Sequence, residues 1–167
     1  MAKYHPCPQG YPSVRMLLLC TQIERRMEII LLVVGATNEA YVQEGLALYS
    51  NRLQRYSKYS MKVVASREKQ LSALQPGDVL VLLDERGPHY TSRGFSQQLQ
   101  KWMNQGPKRL VFAVGDAYGF SDEFRAASQA SLALGEMTFP HDLVRLIFAE
   151  QLYRAWTILH NEPYHHR

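Results

Sequence analysis

The C-terminal end of the chain concentrates groups that could do chemistry. His160-Asn161-Glu162-Pro163-Tyr164-His165-His166-Arg167 follows a long apolar stretch, and His141 lies some twenty residues upstream. Histidine changes charge near neutral pH, so it can serve as a general base or bind a metal. No metal site is expected here: His165 and His166 are adjacent, and no Asp, Glu or Cys set at ligand spacing accompanies them. The tail reads either as a solvated ending or as a flap folded over a crevice, supplying a base. Glu150 and Arg154 are four residues apart in the order that favours an intrahelical pair. Arg154 also lies one turn before the tail, close enough to act with it.

A second group of candidates contains few ionisable side chains and much backbone. Gly115 and Gly119 bracket three residues directly after an apolar run, which lets main chain approach a ligand closely. The spacing is not the dinucleotide fingerprint, and no phosphate-loop Gly-Lys-Ser/Thr follows it. A tight strand-to-helix turn explains the glycines equally well. Two other segments end apolar runs in the same way: Leu83-Asp84-Glu85-Arg86-Gly87 and the stretch from Leu134 to His141.

The elements that would position these groups alternate. Glu28–Gly35, Val79–Leu83 and Leu110–Val114 are apolar enough to be buried strands, Met61–Ala65 is a shorter one, and another is expected around Met137–Phe139. Between them, Val42, Leu46, Tyr49, Leu53 and Tyr56 fall on one helical stripe, with Asn38 placed as its cap. Phe95, Leu99 and Trp102 mark a second helix, Ser121 caps a third, and a long helix runs from about Pro140 to His160. In that last helix Leu143, Val144, Ile147, Phe148, Leu152, Ala155, Trp156 and Leu159 cover much of the circumference, more than a sheet alone requires; burial against a second subunit is expected. The pattern is an α/β domain with a mostly parallel sheet and helices on both faces. In such sheets ligands bind at the carboxyl ends of the strands, where the three glycine-bearing segments lie.

Composition narrows the class. The chain has 167 residues, 46% hydrophobic and 20% charged, enough for one good core. Its only cysteines, Cys7 and Cys20, cannot form a disulfide framework, and no apolar run approaches a membrane span; a cytoplasmic protein is expected. Residues 1–26 hold Lys3, Arg15, Arg25 and Arg26 against Glu24, so they carry +3 of the formal charge of +4. They show no periodicity and contain three prolines. They read as an unstructured or artefactual extension before Met27, with a docking extension as the alternative, and residues 27–167 as a single domain.

The segment from Thr138 to His165 closely resembles the C-terminal signature of the RlmH family of SPOUT-class ribosomal RNA methyltransferases. The residues that carry it are Thr138-Phe139-Pro140-His141, Val144-Arg145, Glu150-Gln151-Leu152-Tyr153-Arg154-Ala155-Trp156 and Tyr164-His165. The likeness extends to Val34-Gly35, Leu83–Gly87 and Val114-Gly115, and it covers Met27–Arg167 but none of residues 1–26. It implies a C-terminal trefoil knot, a homodimer, and an S-adenosylmethionine pocket built from Leu83, Gly115, Leu134, Gly135, Glu136, Met137, Thr138 and Phe139. The implied reaction is methyl transfer to N3 of a pseudouridine in 23S rRNA of the assembled ribosome. His165 is the candidate base, with Tyr164 and Arg154 positioning the target nucleotide or stabilising its developing negative charge.

Two departures stand out. Family members usually read Gly-Gly-x-x-Gly where this chain has Gly115-Asp116-Ala117-Tyr118-Gly119, so a carboxylate is added beside the cofactor loop. The stretch between the strand at Met61–Ala65 and Pro76 is also shorter than usual, only Ser66–Leu74 remaining of a charged helical segment. The rival readings are a non-catalytic ribosome-binding relative with impaired cofactor binding and an unknotted, flavodoxin-like nucleotide-binding protein.

Overall fold

The computed structural model describes residues 27–165; residues 1–26, read above as an extension, and His166 in the tail lie outside them. Five strands form one sheet in the order β2-β1-β4-β3-β5. They are β1 (Glu28–Val34), β2 (Lys58–Val64), β3 (Val79–Leu83), β4 (Arg109–Val114) and β5 (Ala130–Leu132). Every pairing is parallel, as the uninterrupted apolar runs require of strands covered on both faces. The helices are α1 (Ala40–Leu53), α2 (Glu68–Ser72), α3 (Ser92–Asn104), α4 (Asp122–Ala126) and α5 (His141–Leu159).

Alternation along the strands divides the core. Ile29, Leu31, Val33, Val81, Leu83, Leu110, Phe112 and Val114 face one way and pack with the three long helices, notably Leu53, Phe95, Leu99, Trp102, Phe148, Leu152 and Trp156. Ile30, Leu32, Leu80, Leu82, Val111 and Ala113 face the other way, under Ala73 beside α2 and under Phe120 and Phe124 at α4. Each of these two covering helices has only five residues. The second face is therefore thinly clad.

Some boundaries differ from expectation. Asn38 does not cap α1; Glu39 occupies that position without a side-chain bond, while the Asn38 amide donates to Asp142 at 3.0 Å. Strand β2 begins at Lys58, three residues before Met61. The strand expected around Met137–Phe139 is Ala130–Leu132 instead, and residues 134–140 form a loop. Ser121 does cap α4, accepting from the Phe124 amide at 3.2 Å.

Register places three strand ends together. Leu83 pairs with Val114 on one side and with Leu132 on the other. Beyond them the chain segments are tied closely. Asp84 donates its amide to the Leu132 carbonyl at 3.0 Å, and Ala133 donates to that of Pro88 at 3.0 Å. Gly87 sits where a Cβ would meet the Leu132 backbone at 2.8 Å, so only glycine lets these two segments pass.

Candidate active site

A cleft of about 530 Å³ opens at the carboxyl ends of β3 and β4. Its walls come from residues 83–86, residues 114–120 and the loop after β5, with Arg125 from α4 and His141 and Val144 from α5. The volume falls in the range of small-ligand sites. Of the residues singled out for a cofactor, Leu83, Gly115, Leu134, Gly135, Met137, Thr138 and Phe139 all line it; Glu136 does not.

Backbone geometry makes the floor. A Cβ on Gly115 would lie 2.9 Å from the Gly119 carbonyl carbon, so the 115–119 loop closes on itself only because that side chain is absent. Gly119 adopts φ +78°, a left-handed conformation favouring glycine. Asp116 completes the turn: its Oδ1 accepts the Tyr118 amide at 2.8 Å and its carbonyl accepts the Gly119 amide at 3.0 Å. The added carboxylate is thus engaged in shaping the loop. Across the cleft, Asp84 accepts the Arg86 amide at 3.0 Å and forms an ion pair with Arg125. That pair ties the end of β3 to α4, and no feature of the sequence singled it out.

The proposed catalytic residues lie elsewhere. None of Arg154, Tyr164 and His165 lines the cleft. After α5 the chain turns at Asn161, with φ +55°, and doubles back along the helix. Tyr164 packs edge-on against Tyr153, ring centres 4.8 Å apart, and donates to Glu150 at 3.1 Å. Arg154 pairs with the same carboxylate and stands over the Tyr164 ring at 5.0 Å. Burial, and next the hydrogen bond with Tyr49, pushes the Tyr164 phenol above its ordinary range. It is therefore a neutral donor, not a base. The Glu150 bond raises the Arg154 pKa, keeping the guanidinium charged. His165 is half-buried and its Nδ1 has no partner. Glu150 lies nine residues beyond His141, about 13 Å along the helix axis. The structure gathers Arg154 and Tyr164 around Glu150 in one cluster, and neither they nor the adjoining His165 line the cleft of the same chain.

Arg145 is a polar residue that sequence reasoning did not single out. It is 1% exposed, donates to Thr37 Oγ1 and to the Val34 carbonyl, both at 2.7 Å, and pairs with Asp142 at 3.3 Å. It locks the end of β1 to the first turn of α5. Only its place in the Val144-Arg145 motif hinted at this.

The family model described as Predicted SPOUT methyltransferase matches residues 27–165, the whole of the described chain. The chain belongs to the SPOUT methyltransferase family. It is 47% identical over 156 residues to Ribosomal RNA large subunit methyltransferase H of Parabacteroides distasonis, covering 84% of this chain and 99% of that one. The protein of the same name from Christiangramia forsetii is 42% identical over 157 residues, with 84% and 100% covered. Since 84% of 167 residues is about 140, the SPOUT relatives carry roughly 16 positions with no counterpart here, in keeping with the short connection before β3. A methylase family protein of known structure from Neisseria gonorrhoeae shares the fold, with a TM-score of 0.50 and 13% identity over 95% of this chain and 91% of that one. Among the described residues no helix is long and apolar enough to cross a membrane, and no group of three or more His, Cys, Asp or Glu is placed to hold a metal ion.

Proposed function

We propose that this chain methylates large-subunit ribosomal RNA, using S-adenosylmethionine and taking N3 of a pseudouridine in the assembled ribosome as its target. The observation that supports it best is the cleft: seven of the eight residues named for the cofactor meet there, at the ends of three adjacent strands. The relatives' shared name, Ribosomal RNA large subunit methyltransferase H, supports the substrate class.

The residues present fit an adenosyl amino acid. Gly115, with no room for a Cβ, exposes main-chain donors and acceptors that can read a purine edge, and Leu83, Leu134 and Phe139 offer apolar surface for its faces. S-adenosylmethionine, when bound, supplies an electrophilic methyl group. The protein's part is mainly alignment, holding the nucleotide nitrogen in line and excluding water. Removal of the N3 proton calls for a base, and His165 is our candidate. Arg154, held charged by Glu150, and the neutral Tyr164 would steady the carbonyl oxygens flanking N3 that gain negative charge.

Because the tail cluster lies apart from the cleft in one chain, the reading includes a homodimer in which each tail serves the other cleft. Tyr41 and Leu48, seven residues apart on α1, are 57% and 47% exposed, and they give the outer layer an apolar stripe suited to a second copy. The reading also includes the trefoil knot, with the close passage of residues 84–89 against Leu132 and Ala133 as its supporting feature. We place this in the cytoplasm with the ribosome. Asp116 is occupied within its own turn, so this departure does not favour a non-catalytic relative.

The test is calorimetric titration with S-adenosylmethionine, followed by incubation with unmodified ribosomes and mass spectrometry of the digested nucleosides. Binding at one site per subunit and a methylated pseudouridine are expected. Absence of binding, or a methyl group on a different nucleoside, would overturn the assignment.

A further inference from the structure

The mouth of the cleft carries side chains that neither the core nor the cofactor pocket accounts for. Nine arginines lie among the described residues, and seven are engaged. Arg67, Arg109, Arg125, Arg145 and Arg154 pair with carboxylates, while Arg52 and Arg55 lie over tyrosine rings. The guanidinium groups of Arg86 and Arg93 make no hydrogen bond or ion pair, and both residues are exposed. Arg86 lies on the connection from β3 to α3 and lines the cleft, and Arg93 follows seven residues later in the first turn of α3, with exposed Tyr90 between them. Facing that connection on the 115–119 loop, Tyr118 is 86% exposed, the most exposed of the large apolar side chains.

The geometry points to a rim for single-stranded RNA: Arg86 and Arg93 hold phosphates of the segment that delivers the target nucleotide, and Tyr118 stacks on a neighbouring base. This rests on the rRNA reading above. An exposed ring beside unpaired guanidinium groups is the combination that unpaired nucleotides require, because bases offer faces for stacking while the backbone offers anions. A duplex would present neither an open base face nor a single phosphate track to so small a surface. Tyr118 is held for this role by its own turn, since the Asp116 carboxylate fixes its backbone amide while the residue stays exposed at the edge of the cleft. The engaged arginines could not substitute, because withdrawing any of them breaks an internal contact.

The experiment is steady-state methylation of unmodified ribosomes by wild type, Arg93→Glu, Tyr118→Ala and Tyr118→Phe, with S-adenosylmethionine affinity measured on each. Arg93→Glu and Tyr118→Ala should raise KM for ribosomes roughly tenfold with little change in kcat, whereas Tyr118→Phe retains the wild-type value. Loss of one phosphate contact in Arg93→Gln should lower the slope of log affinity against log salt by about 0.7. Unchanged KM in both disruptive variants overturns the rim while leaving the methyltransferase reading intact. A fall in cofactor affinity as large as the rise in KM assigns Tyr118 to covering the cofactor and overturns its stacking role. If wild type methylates no ribosome, the rRNA reading and the rim fail together.

Discussion

At the scale of single residues, polar groups in the interior decide which contacts are indispensable and which are not. Arg145 is buried with two hydrogen bonds and one ion pair, joining β1 to α5. Replacing it by Met leaves Thr37 Oγ1 and the Val34 carbonyl without their donor and Asp142 without its cationic partner. Breaking a buried pair of this kind costs about 3–5 kcal/mol, so Arg145→Met should lower the unfolding free energy by that amount in urea titration. Tyr59 is the opposite case. Its hydroxyl is buried without a partner, and the residue is 3% exposed. Tyr59→Phe removes the unmet group and should raise stability by about 1 kcal/mol. Burial also lifts the Tyr59 pKa above its ordinary 10.0. A raised folded pKa stabilises fully below pH 10 and loses that contribution as pH climbs above it. Wild type should therefore weaken on the alkaline side of pH 10, and Tyr59→Phe should weaken less; chemical unfolding across that range measures both.

Elements carry the cleft, and here the legibility of the sequence varied with the physics. Strands β3 and β4 were readable because strands buried on both faces need unbroken apolar runs, and their ends do line the cleft. Strand β5 was misplaced. Ala130–Leu132 is too short to show a pattern, while Met137–Phe139 belongs to a loop that lines the cleft and pairs with no strand. The Asp84–Arg125 pair was unreadable, since 41 residues separate its members and only the folded sheet brings them together. Gln70 was missed for a similar reason. It lies in the shortened connection, is fully buried, and its Nε2 donates at 3.0 Å to the carbonyl of Val114, the residue before the 115–119 loop. We expect Gln70→Met, which keeps the volume and loses the bond, to cost about 1–2 kcal/mol of stability. It should also weaken cofactor binding at temperatures where the fold is intact; titration beside thermal unfolding separates the two. Gly115→Ala acts on the same loop from the front. The added Cβ collides with Gly119, a strain of about 1–3 kcal/mol that should appear as a loss of cofactor affinity of roughly five- to a hundredfold.

The whole molecule poses a problem that no element solves alone: the cleft and the tail cluster are each well formed, and they do not meet within one chain. Arg154, Tyr164 and Glu150 form a closed network that would have to come apart for the tail to reach its own cleft. A second copy removes that need, since two-fold symmetry presents each tail to the other chain without unmaking the network. Mixing variants distinguishes the arrangements. Gly115→Ala damages the cleft and His165→Ala the tail, so each protein alone should be nearly inactive toward ribosomes. Unfolded and refolded together in equal amounts, half of the dimers carry one of each chain. If the site is shared, every mixed dimer regains one intact site, joining the sound cleft of one chain to the sound tail of the other, and activity should return to about a quarter of wild type. If each tail serves its own cleft, no combination contains an intact site and the mixture stays inactive. Recovery would also show that His165 acts in the reaction itself, because a residue needed only for the fold of its own chain could not be supplied from the other.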